Sequence, residues 1–360
     1  MMTNNAPWNK ELPTLRDIQK IIPSHLFLPD HKKGFLLYSQ TVFLCVLLFL
    51  FALYIIPELS SPFKQLAWLF YWFFQGTIFW SFFGWGHDCG HNGFSKHKWV
   101  NTLVGNITHS FILMPYESWK TTHKLHHMNA GNIDKDVNYP PKRSKKLIKR
   151  HWIVGLLGIA HFLYLCGLST YRINHFNPFG DVFKNNRRDV IISLLVWFVF
   201  FCAVIASIFI FGFINVLAFY GVPLFGYATW LVISSFLNHA DPKVPWWGNK
   251  TWTYMKGNIF SVIDVSYGRF LDYLVQDNGL HQIHHLFPHV PTYHMKEATA
   301  HFRRHFPHLA KDRTMAVWPA FWEYLKNFRE QKVLHDDVDV FFYDDGKGQD
   351  SIEEEYLAKG

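Results

Sequence analysis

The chain has few cysteines, and they form no pattern that would organise a fold or a redox cofactor. Four occur in 360 residues: Cys45, Cys166 and Cys202 lie in apolar segments, and Cys89 lies between two histidines. Their spacing implies neither a disulfide framework nor a ferredoxin-type iron–sulfur cluster. A haem-binding His-Pro-Gly-Gly stretch and a G-x-G-x-x-G fingerprint are also missing. A redox enzyme with this sequence would therefore take its electrons from another protein.

Charge is absent from four long segments, 35–56, 66–85, 190–211 and 217–237. Each has roughly the 20 residues that a helix needs to cross a hydrocarbon core. The buried helices of a large soluble domain would not produce four such runs with so few polar residues. We therefore predict an all-α, multi-pass integral membrane protein with four transmembrane helices at about these positions.

Basic residues flank these runs mainly on one side. Lys32 and Lys33 precede the first run, and Lys184, Arg187 and Arg188 precede the third. The positive-inside rule then places the N-terminus in the cytoplasm and arranges the spans as two hairpins. The apolar stretches 104–114 and 152–168 must not cross if the histidine clusters described below share one face of the membrane. We predict that both lie in the interface.

Three regions follow from this topology: a cytosolic N-terminal segment 1–34, a membrane domain 35–310 and a cytosolic C-terminal tail 311–360. The first 30 or so residues are too polar for a secretory signal, so the first span is expected to direct insertion. The net charge of +8 is explained by lysines and arginines near anionic lipid, and nucleic acid is not expected as a partner.

Histidine is the most informative residue type that is present. Eight histidines form three clusters with i, i+3 and i+4 spacings, which place side chains on one face of a helix. Neutral imidazole binds iron, zinc and copper, and four such ligands normally fill one zinc site, so eight indicate more than one metal. The predicted topology brings the clusters to the cytoplasmic face. They are His87 and His91; His123, His126 and His127; and His281, His284 and His285.

These clusters, with their neighbours, resemble the three histidine boxes of membrane fatty acid desaturases. The first continues as Asn92-Gly-Phe-Ser, the second as Asn129-Ala-Gly-Asn and the third as Leu286-Phe-Pro. The chain is most similar to the delta-12/omega-3 acyl-lipid desaturase group, from Leu12 to about Arg304. Further similar segments are Phe236 to His239, Pro245 to Trp247, Trp252 to Gly257, Asp264 to Gly268 and Pro291 to His294.

The resemblance implies a cytosolic helical cap that holds two iron ions on the eight box histidines, with His239 as a ninth ligand. We expect Asp88 and Asp136 to accept hydrogen bonds from ligand imidazoles, as carboxylates near metals commonly do. Asn238 is a candidate for orienting a metal-bound water. No catalytic residue is predicted beyond the metal ligands. The single histidines His109, His161 and His175 are expected to pack rather than bind metal.

The implied reaction is an oxygen-dependent desaturation that places a cis double bond in an acyl chain of a membrane lipid. The Asp88-Cys89 pair, the segment Trp252 to Gly257 and the residues Phe287 to His294 favour the omega-3 branch (linoleate to alpha-linolenate) over delta-12 desaturation (oleate to linoleate). Ferredoxin or cytochrome b5 is the expected electron donor. A di-iron fatty acyl hydroxylase or carotenoid ketolase is the next alternative. A metal transporter is disfavoured, because it would carry metal-binding groups within its spans.

Overall fold

The computed structural model describes residue 8 and residues 10–138, 148–149, 158–168, 173–239, 241, 244–312, 316–331 and 340–341. Within these ranges the chain is mostly helical, as predicted. The α-helices are α1 Leu15–Ile21, α2 His31–Leu50, α3 Phe63–Gly90, α4 Lys98–Phe111, α5 Tyr116–Asn129, α6 Ile159–Leu165, α7 Arg187–Phe211, α8 Phe213–Val216, α9 Val222–His239, α10 Tyr254–Phe260, α11 Arg269–Leu274, α12 Gln282–Leu286, α13 Thr292–His305 and α14 Val317–Arg329.

Strands are confined to two short antiparallel pairs in the described part of the chain. Strand β1 Ile148–Lys149 pairs with β3 Glu330–Gln331, and β2 Trp246–Trp247 pairs with β4 Val340–Phe341. The second pair lies beside the loop that follows α5, because the Trp247 N–H donates to the Gly131 carbonyl. The strands therefore tie late parts of the chain to the helical frame and form no sheet of their own.

In the described part of the chain, three helical stretches are long and apolar enough to cross a membrane, and they contain the first, third and fourth predicted spans. The first, His31–Glu58, joins α2 to a π-helical turn Phe51–Ile55 and a 3-10 turn Ile56–Glu58. The others are Arg187–Phe211, which is α7, and Phe213–His239, which contains α8, a π-helical turn Leu217–Gly221 and α9. The first two leave many large apolar side chains exposed, which suits a lipid environment.

The second predicted span, 66–85, lies on α3. This helix has 28 residues and is about 42 Å long at 1.5 Å per residue, so its length is sufficient. It is not among the three stretches named above; it carries Gln75, and most of its second half is buried. Four spans in two hairpins therefore remain a prediction.

The two predicted interfacial segments form short helices in their described parts. Helix α4 covers most of 104–114, and α6 lies within 158–168, while 152–157 fall outside the described residues. At about 21 Å and 10 Å respectively, neither helix could cross a hydrocarbon core of roughly 30 Å.

Helices α3 and α9 approach each other closely at a pair of glycines. A Cβ added at Gly76 would lie only 3.1 Å from the Cα of Gly226, so the absence of side chains permits the contact. Further along the same pair, the rings of Trp80 and Trp230 stack at a centroid distance of 5.3 Å. This packing brings the last turns of α3 and α9 together.

The N-terminal segment packs into the cap and is not a separate unit in its described part. Helix α1 starts with a capping box between Thr14 and Asp17, and Ile18 and Leu26 join a hydrophobic core with Phe302 of α13. Asp30 accepts hydrogen bonds from the Lys32 and Lys33 N–H groups and so begins α2 at His31, a few residues before the predicted start of the first span.

The structure also differs from the predicted tail 311–360 at α14. This helix packs along α9, where Phe236 stacks on Tyr324 with ring centroids 4.5 Å apart. The tail prediction rested on the charge of the last residues, whereas α14 has an apolar face that α9 covers. Residues 332–339 and 342–360 lie outside the described part of the chain.

Candidate metal centre

The first histidine cluster occupies the last turn of α3. His87 lies within the helix, and His91 caps it, with its N–H directed at the His87 and Asp88 carbonyls. Asn92 follows with a φ of 61°, a left-handed conformation that asparagine tolerates better than most residues. The chain therefore turns away directly after His91 and leaves both imidazoles on the inner side of the helix end.

The second cluster lies on α5, in the two turns before the helix ends at Asn129. His123 and His127 are one turn apart, and their Nε2 atoms are 3.0 Å from each other. The ring of Trp119, one turn earlier, stacks on His123 at 4.6 Å. The adjacent residue His126 points to a second set of histidines.

The third cluster depends on a carboxylate from a distant loop. Helix α12 has only five residues, and His281 is its N-cap. The Asp264 carboxylate accepts hydrogen bonds from the backbone N–H groups of His281 and Gln282, which satisfies donors at the start of this helix. Arg303 donates to the other carboxylate oxygen at 2.8 Å. A helix this short is stabilised by such contacts rather than by its own hydrogen bonds.

Five histidines from the three clusters form one group. One nitrogen from each lies within 4.8 Å of the others, and the Nε2 atoms of His127 and His284 are 3.1 Å apart. Nitrogen ligands at about 2.1 Å and right angles around one metal ion would be about 3 Å apart. The spacing therefore suits a shared metal ion. The members of this first group are His87, His91, His123, His127 and His284.

His126, His239 and His285 form a second group under the same distance criterion. The Nε2 atoms of His126 and His239 are 3.3 Å apart. His281 joins this group through His239, because their Nε2 atoms are 2.8 Å apart. The two groups meet where the rings of His127 and His285 stack at 4.1 Å. All nine predicted ligands therefore lie together, five in one group and four in the other.

Burial favours the uncharged form of several cluster imidazoles. It holds the pKa values of His123, His127, His284 and His285 well below their usual range, and the neighbouring histidines lower them further. Burial also lowers the pKa of His281 to about 3. Neutral imidazole is the form that binds a metal ion, so at neutral pH the ligands need not lose protons first.

Several cluster nitrogens have no hydrogen-bond partner although they are buried. They include Nε2 of His91 and Nε2 of His285. A buried polar atom without a partner is costly and calls for an explanation. Metal coordination would satisfy both nitrogens. The residues therefore fit a resident metal cofactor with nitrogen ligands, a set that iron, zinc and copper all accept.

Two side chains orient ligand imidazoles through the nitrogen remote from the group. The Nδ1 atom of His126 is 2.8 Å from an Asp136 carboxylate oxygen, which is the contact expected from the sequence. The Nδ1 atom of His285 is 2.9 Å from Oδ1 of Asn258. In each case the hydrogen bond leaves Nε2 available for a metal ion.

Asp88 does not take the place expected from the sequence, whereas the role expected of Asn238 stays a prediction. Asp88 accepts a hydrogen bond from the Thr292 N–H at 3.3 Å and bonds to no ligand imidazole; burial raises its pKa to about 8. The Asn238 amide donates to the Ile263 and Gly279 carbonyls, so its NH₂ group holds the loop before α12. Both side chains lie close to ligands in sequence but point to neighbouring backbone.

The three single histidines pack against neighbouring side chains. The His109 ring stacks on Phe83 at 5.4 Å, His161 lies 3.1 Å from the Tyr227 hydroxyl, and His175 lies 3.0 Å from the Thr122 hydroxyl. None belongs to either metal group, which agrees with their expected packing roles.

Two cavities flank the histidine groups. The inner cavity has a volume of about 60 Å³, and its wall includes Met114, Tyr164, Leu231 and Ser235 beside ligands of both groups. The outer cavity has a volume of about 340 Å³ and is lined by Lys120, Lys124, Met128, Tyr254 and Pro288 beside His91, His123 and His127. The two cavities differ in charge: the described wall of the outer cavity carries two lysines, whereas that of the inner cavity has neither lysine nor arginine.

Sequence reasoning missed Asn258, Asp264 and Trp119 as residues of the site. Asp264 lies in a segment that resembles the desaturase group, which could have drawn attention to it. Its distance in sequence from the histidine clusters, however, indicated no role for it. Asn258 and Trp119 were not recognised, because only the structure shows that Asn258 contacts His285 and that Trp119 stacks on His123.

Comparison with known proteins agrees with this geometry. The family model described as Fatty acid desaturase matches residues 66–315. The chain is 37% identical to an acyl-lipid omega-3 desaturase (cytochrome b5) of the endoplasmic reticulum from Arabidopsis thaliana, over 79% of this chain and 74% of the relative. It is 32% identical to an sn-1 acyl-lipid omega-3 desaturase (ferredoxin) from Nostoc sp. (strain 36), over 88% and 90% respectively. The chain belongs to the fatty acid desaturase family and is a membrane-bound oxidoreductase.

Proposed function

We propose that this protein is an acyl-lipid omega-3 desaturase, which inserts a cis double bond three carbons from the methyl end of an acyl chain. The observation that carries the proposal is the convergence of nine histidines in two adjacent groups. Relatives whose names specify omega-3 desaturation match most of the chain. These comparisons favour omega-3 over delta-12 desaturation.

Two iron ions are the proposed cofactors, one for each group of histidines. The first would be held by His87, His91, His123, His127 and His284, and the second by His126, His239, His281 and His285. Together the ions would supply the reduction of dioxygen and the oxidation of the acyl chain. Among the described residues, no thiolate or carboxylate belongs to either group.

The reaction sets the tasks of the surrounding residues. One acyl CH₂–CH₂ unit, dioxygen, two electrons and two protons give CH=CH and two waters. The residues must therefore hold one bond of a flexible chain at the centre and keep bulk water away. We assign the first task to the inner cavity, where Met114, Leu231 and Ser235 lie beside the ligands.

The proposed topology has four spans, with α3 as the second, and places the centre on the cytoplasmic face. Lys32 and Lys33 at the start of α2 and Arg187 and Arg188 at the start of α7 support this orientation. The ligands on α3 and α9 stand at the same ends of these helices. The chain must therefore cross the membrane an even number of times between the end of α3 and the end of α9.

The electron donor is proposed to dock at the outer cavity. Lys120 and Lys124 line its wall, and none of the described residues of the wall is acidic. An acidic redox protein would be attracted to this positive surface. The Arabidopsis relative is named with cytochrome b5 and the Nostoc relative with ferredoxin, and either donor suits the lysines.

Product analysis tests the proposal. The chain is expressed in a host that makes neither linoleate nor alpha-linolenate, and the host is fed oleate or linoleate. We expect alpha-linolenate from linoleate and little linoleate from oleate. Linoleate from oleate would indicate the delta-12 alternative, and a hydroxy acid would indicate a hydroxylase. If none of these products formed while iron was bound, the proposal would be wrong.

A further inference from the structure

Helix α14 follows the part of α9 that leads to the metal centre. The Trp318 and Trp230 ring centroids are 6.0 Å apart, and Tyr324 stacks on Phe236 at 4.5 Å. The residue numbers increase by six in both helices between these contacts, so the helices run in the same direction. Ala320, Phe321 and Tyr324 of α14 are buried.

The opposite face of α14 changes in character along the helix. Trp318 is 53% exposed and Trp322 is 60% exposed. Glu323 and Lys326 are also exposed, nearer the C-terminal end. Two large indole rings on an outer face mark a contact surface, and the charges beyond them indicate water. Along its described part, this face therefore changes from apolar at Trp318 to charged at Glu323 and Lys326.

Helix α11 presents a similar surface beside it. Phe270 is 61% exposed and Tyr273 is 63% exposed, and the Phe270 ring also contacts Phe74 of α3 at 6.0 Å. Tyr267, just before α11, contacts Trp230 at 5.8 Å. Because Trp230 also contacts Trp318, α11 and α14 meet around one aromatic cluster. We call the four exposed residues Trp318, Trp322, Phe270 and Tyr273 the aromatic collar.

The position of the collar along the spans indicates its surroundings. Trp80 and Trp230 lie seven residues before His87 and nine before His239, or about 10 Å and 14 Å along α3 and α9. Further from the ligands, both helices expose phenylalanines, Phe70 on α3 and Phe225 on α9. The collar thus continues an apolar surface that belongs to membrane helices. Arg269 is exposed beside Phe270 and would pair with lipid phosphates.

We propose that the aromatic collar inserts at the boundary between lipid headgroups and acyl chains, and that α14 is an interfacial helix. Tryptophan and tyrosine are enriched at this boundary, and amphipathic helices lie in it with their apolar faces toward the acyl chains. The collar fixes the height of the protein in the bilayer, with the metal centre about 10–14 Å above the boundary. The inference does not depend on the regiospecificity or on the electron donor.

Depth measurements on the iron-loaded protein in lipid bilayers test this proposal. The four native cysteines are replaced, and retained iron and activity confirm that this background is folded. Spin labels are then attached to Trp322→Cys, Tyr273→Cys and Lys326→Cys. Phe209→Cys on α7 is the lipid-facing control, and Lys135→Cys is the water-facing control. Collisions with dissolved oxygen report lipid, and collisions with a water-soluble nickel complex report water.

We expect the labels at 322 and 273 to collide severalfold more with oxygen than with the nickel complex, as at 209. The label at 326 should resemble that at 135. Equal access of the nickel complex at 322 and 135 would overturn the proposal, because the collar would lie in water. Exclusion of both reagents, with coupling between labels, would also overturn it, because a second copy would cover the surface.

A second measurement uses the protein without substitutions. A phospholipid with a photoreactive group near its glycerol backbone is incorporated into the bilayer, and labelled peptides are identified by mass spectrometry. We expect modification within 269–274 and 317–326. Modification of α2 and α7 without modification of these segments would overturn the proposal even if the cysteine variants did not fold.

Discussion

Asp136 holds the imidazole of His126 through a hydrogen bond between two buried side chains. The carboxylate oxygen lies 2.8 Å from Nδ1 of His126, and the other oxygen accepts the Gly131 N–H at 3.2 Å. The backbone thus fixes the carboxylate, and the carboxylate fixes the ring. With Nδ1 occupied, Nε2 faces His239 across 3.3 Å.

Asp136→Asn should therefore weaken metal binding without removing a ligand. The neutral amide oxygen is a weaker hydrogen-bond acceptor for His126 than the carboxylate. Loss of such a carboxylate partner typically costs about 10–100-fold in metal affinity. Iron content is measured after dialysis against a series of chelator concentrations. The matched control is Asp134→Asn, an exposed carboxylate that accepts a hydrogen bond from the Asn249 amide. Equal iron retention in both variants would contradict a role for Asp136.

Single ligand substitutions in the two groups should both abolish double-bond formation. His284→Ala removes a ligand of the first group, and His126→Ala removes one of the second. Both variants should remain in the membrane. Their iron content should be lower, because each substitution removes one ligand from a group of histidines. The control is His305→Ala, which is exposed on α13. Full activity in either ligand variant would mean that the groups do not form a shared site.

Filling the inner cavity should block the substrate but not the metal. Ser235 is partly exposed on its wall, and Ser235→Phe would occupy space where an acyl chain is expected to lie. We expect at least a tenfold loss of product with unchanged iron content. Ser207→Phe makes the same substitution on α7, away from the cavity, and should leave lipid turnover largely intact. Equal loss of product in both variants would show that the effect does not arise in the inner cavity.

Charge reversal at the outer cavity should affect the electron donor. Lys124 is exposed there, and Lys124→Glu should raise the KM for an acidic donor severalfold, because like charges then meet. The effect should diminish with added salt as the charges are screened. Lys20→Glu on α1 makes the same charge change away from the cavity. A donor KM that is independent of both salt and Lys124 would exclude docking at this surface.

Acid should destabilise the protein partly through His175. Burial lowers the pKa of His175 to about 4, whereas its unfolded value is near 6.5. As pH falls from about 6.5 to 4, the unfolded state binds a proton that the folded state does not. The free energy of unfolding therefore decreases, by at most about 1.4 kcal/mol per pH unit.

His175→Gln should lower the unfolding temperature at pH 7, because the contact with Thr122 is weakened, but should reduce its further drop at pH 5. Thermal unfolding of the iron-loaded protein in detergent at both pH values measures the difference. His305→Gln, at an exposed position, is the control. An equal drop in the wild type and His175→Gln would show that this histidine does not contribute.

The sequence was sufficient to identify the ligands because their spacing is local. In His123 to His127, helical geometry alone places side chains on one face, and this prediction needs no tertiary contact. The division of these ligands between two groups was harder to predict from the sequence. His126 and His127 are adjacent in sequence but belong to different groups, because consecutive residues of a helix point about 100° apart.

Contacts between distant segments explain most of what the sequence did not predict. Asp264 caps α12 across an irregular loop, and no periodic pattern marks such a contact. Asp88 lies inside the first cluster, yet its carboxylate accepts the N–H of Thr292, at the start of the distant helix α13. Helix α14 lies within the segment predicted as a tail, and its contact with α9 joins segments that are far apart in sequence.

The glycine contact between α3 and α9 lies far from the metal centre along both helices. Gly76 lies about 16 Å from His87 along the helix, so a splay of one degree at the contact would move the helix end by about 0.3 Å. Helix α3 carries His87 and His91 of the first group, and α9 carries His239 of the second. A change in the angle between the two helices would therefore change the separation of the two histidine groups, so their closeness depends on a contact between two glycines about 16 Å away.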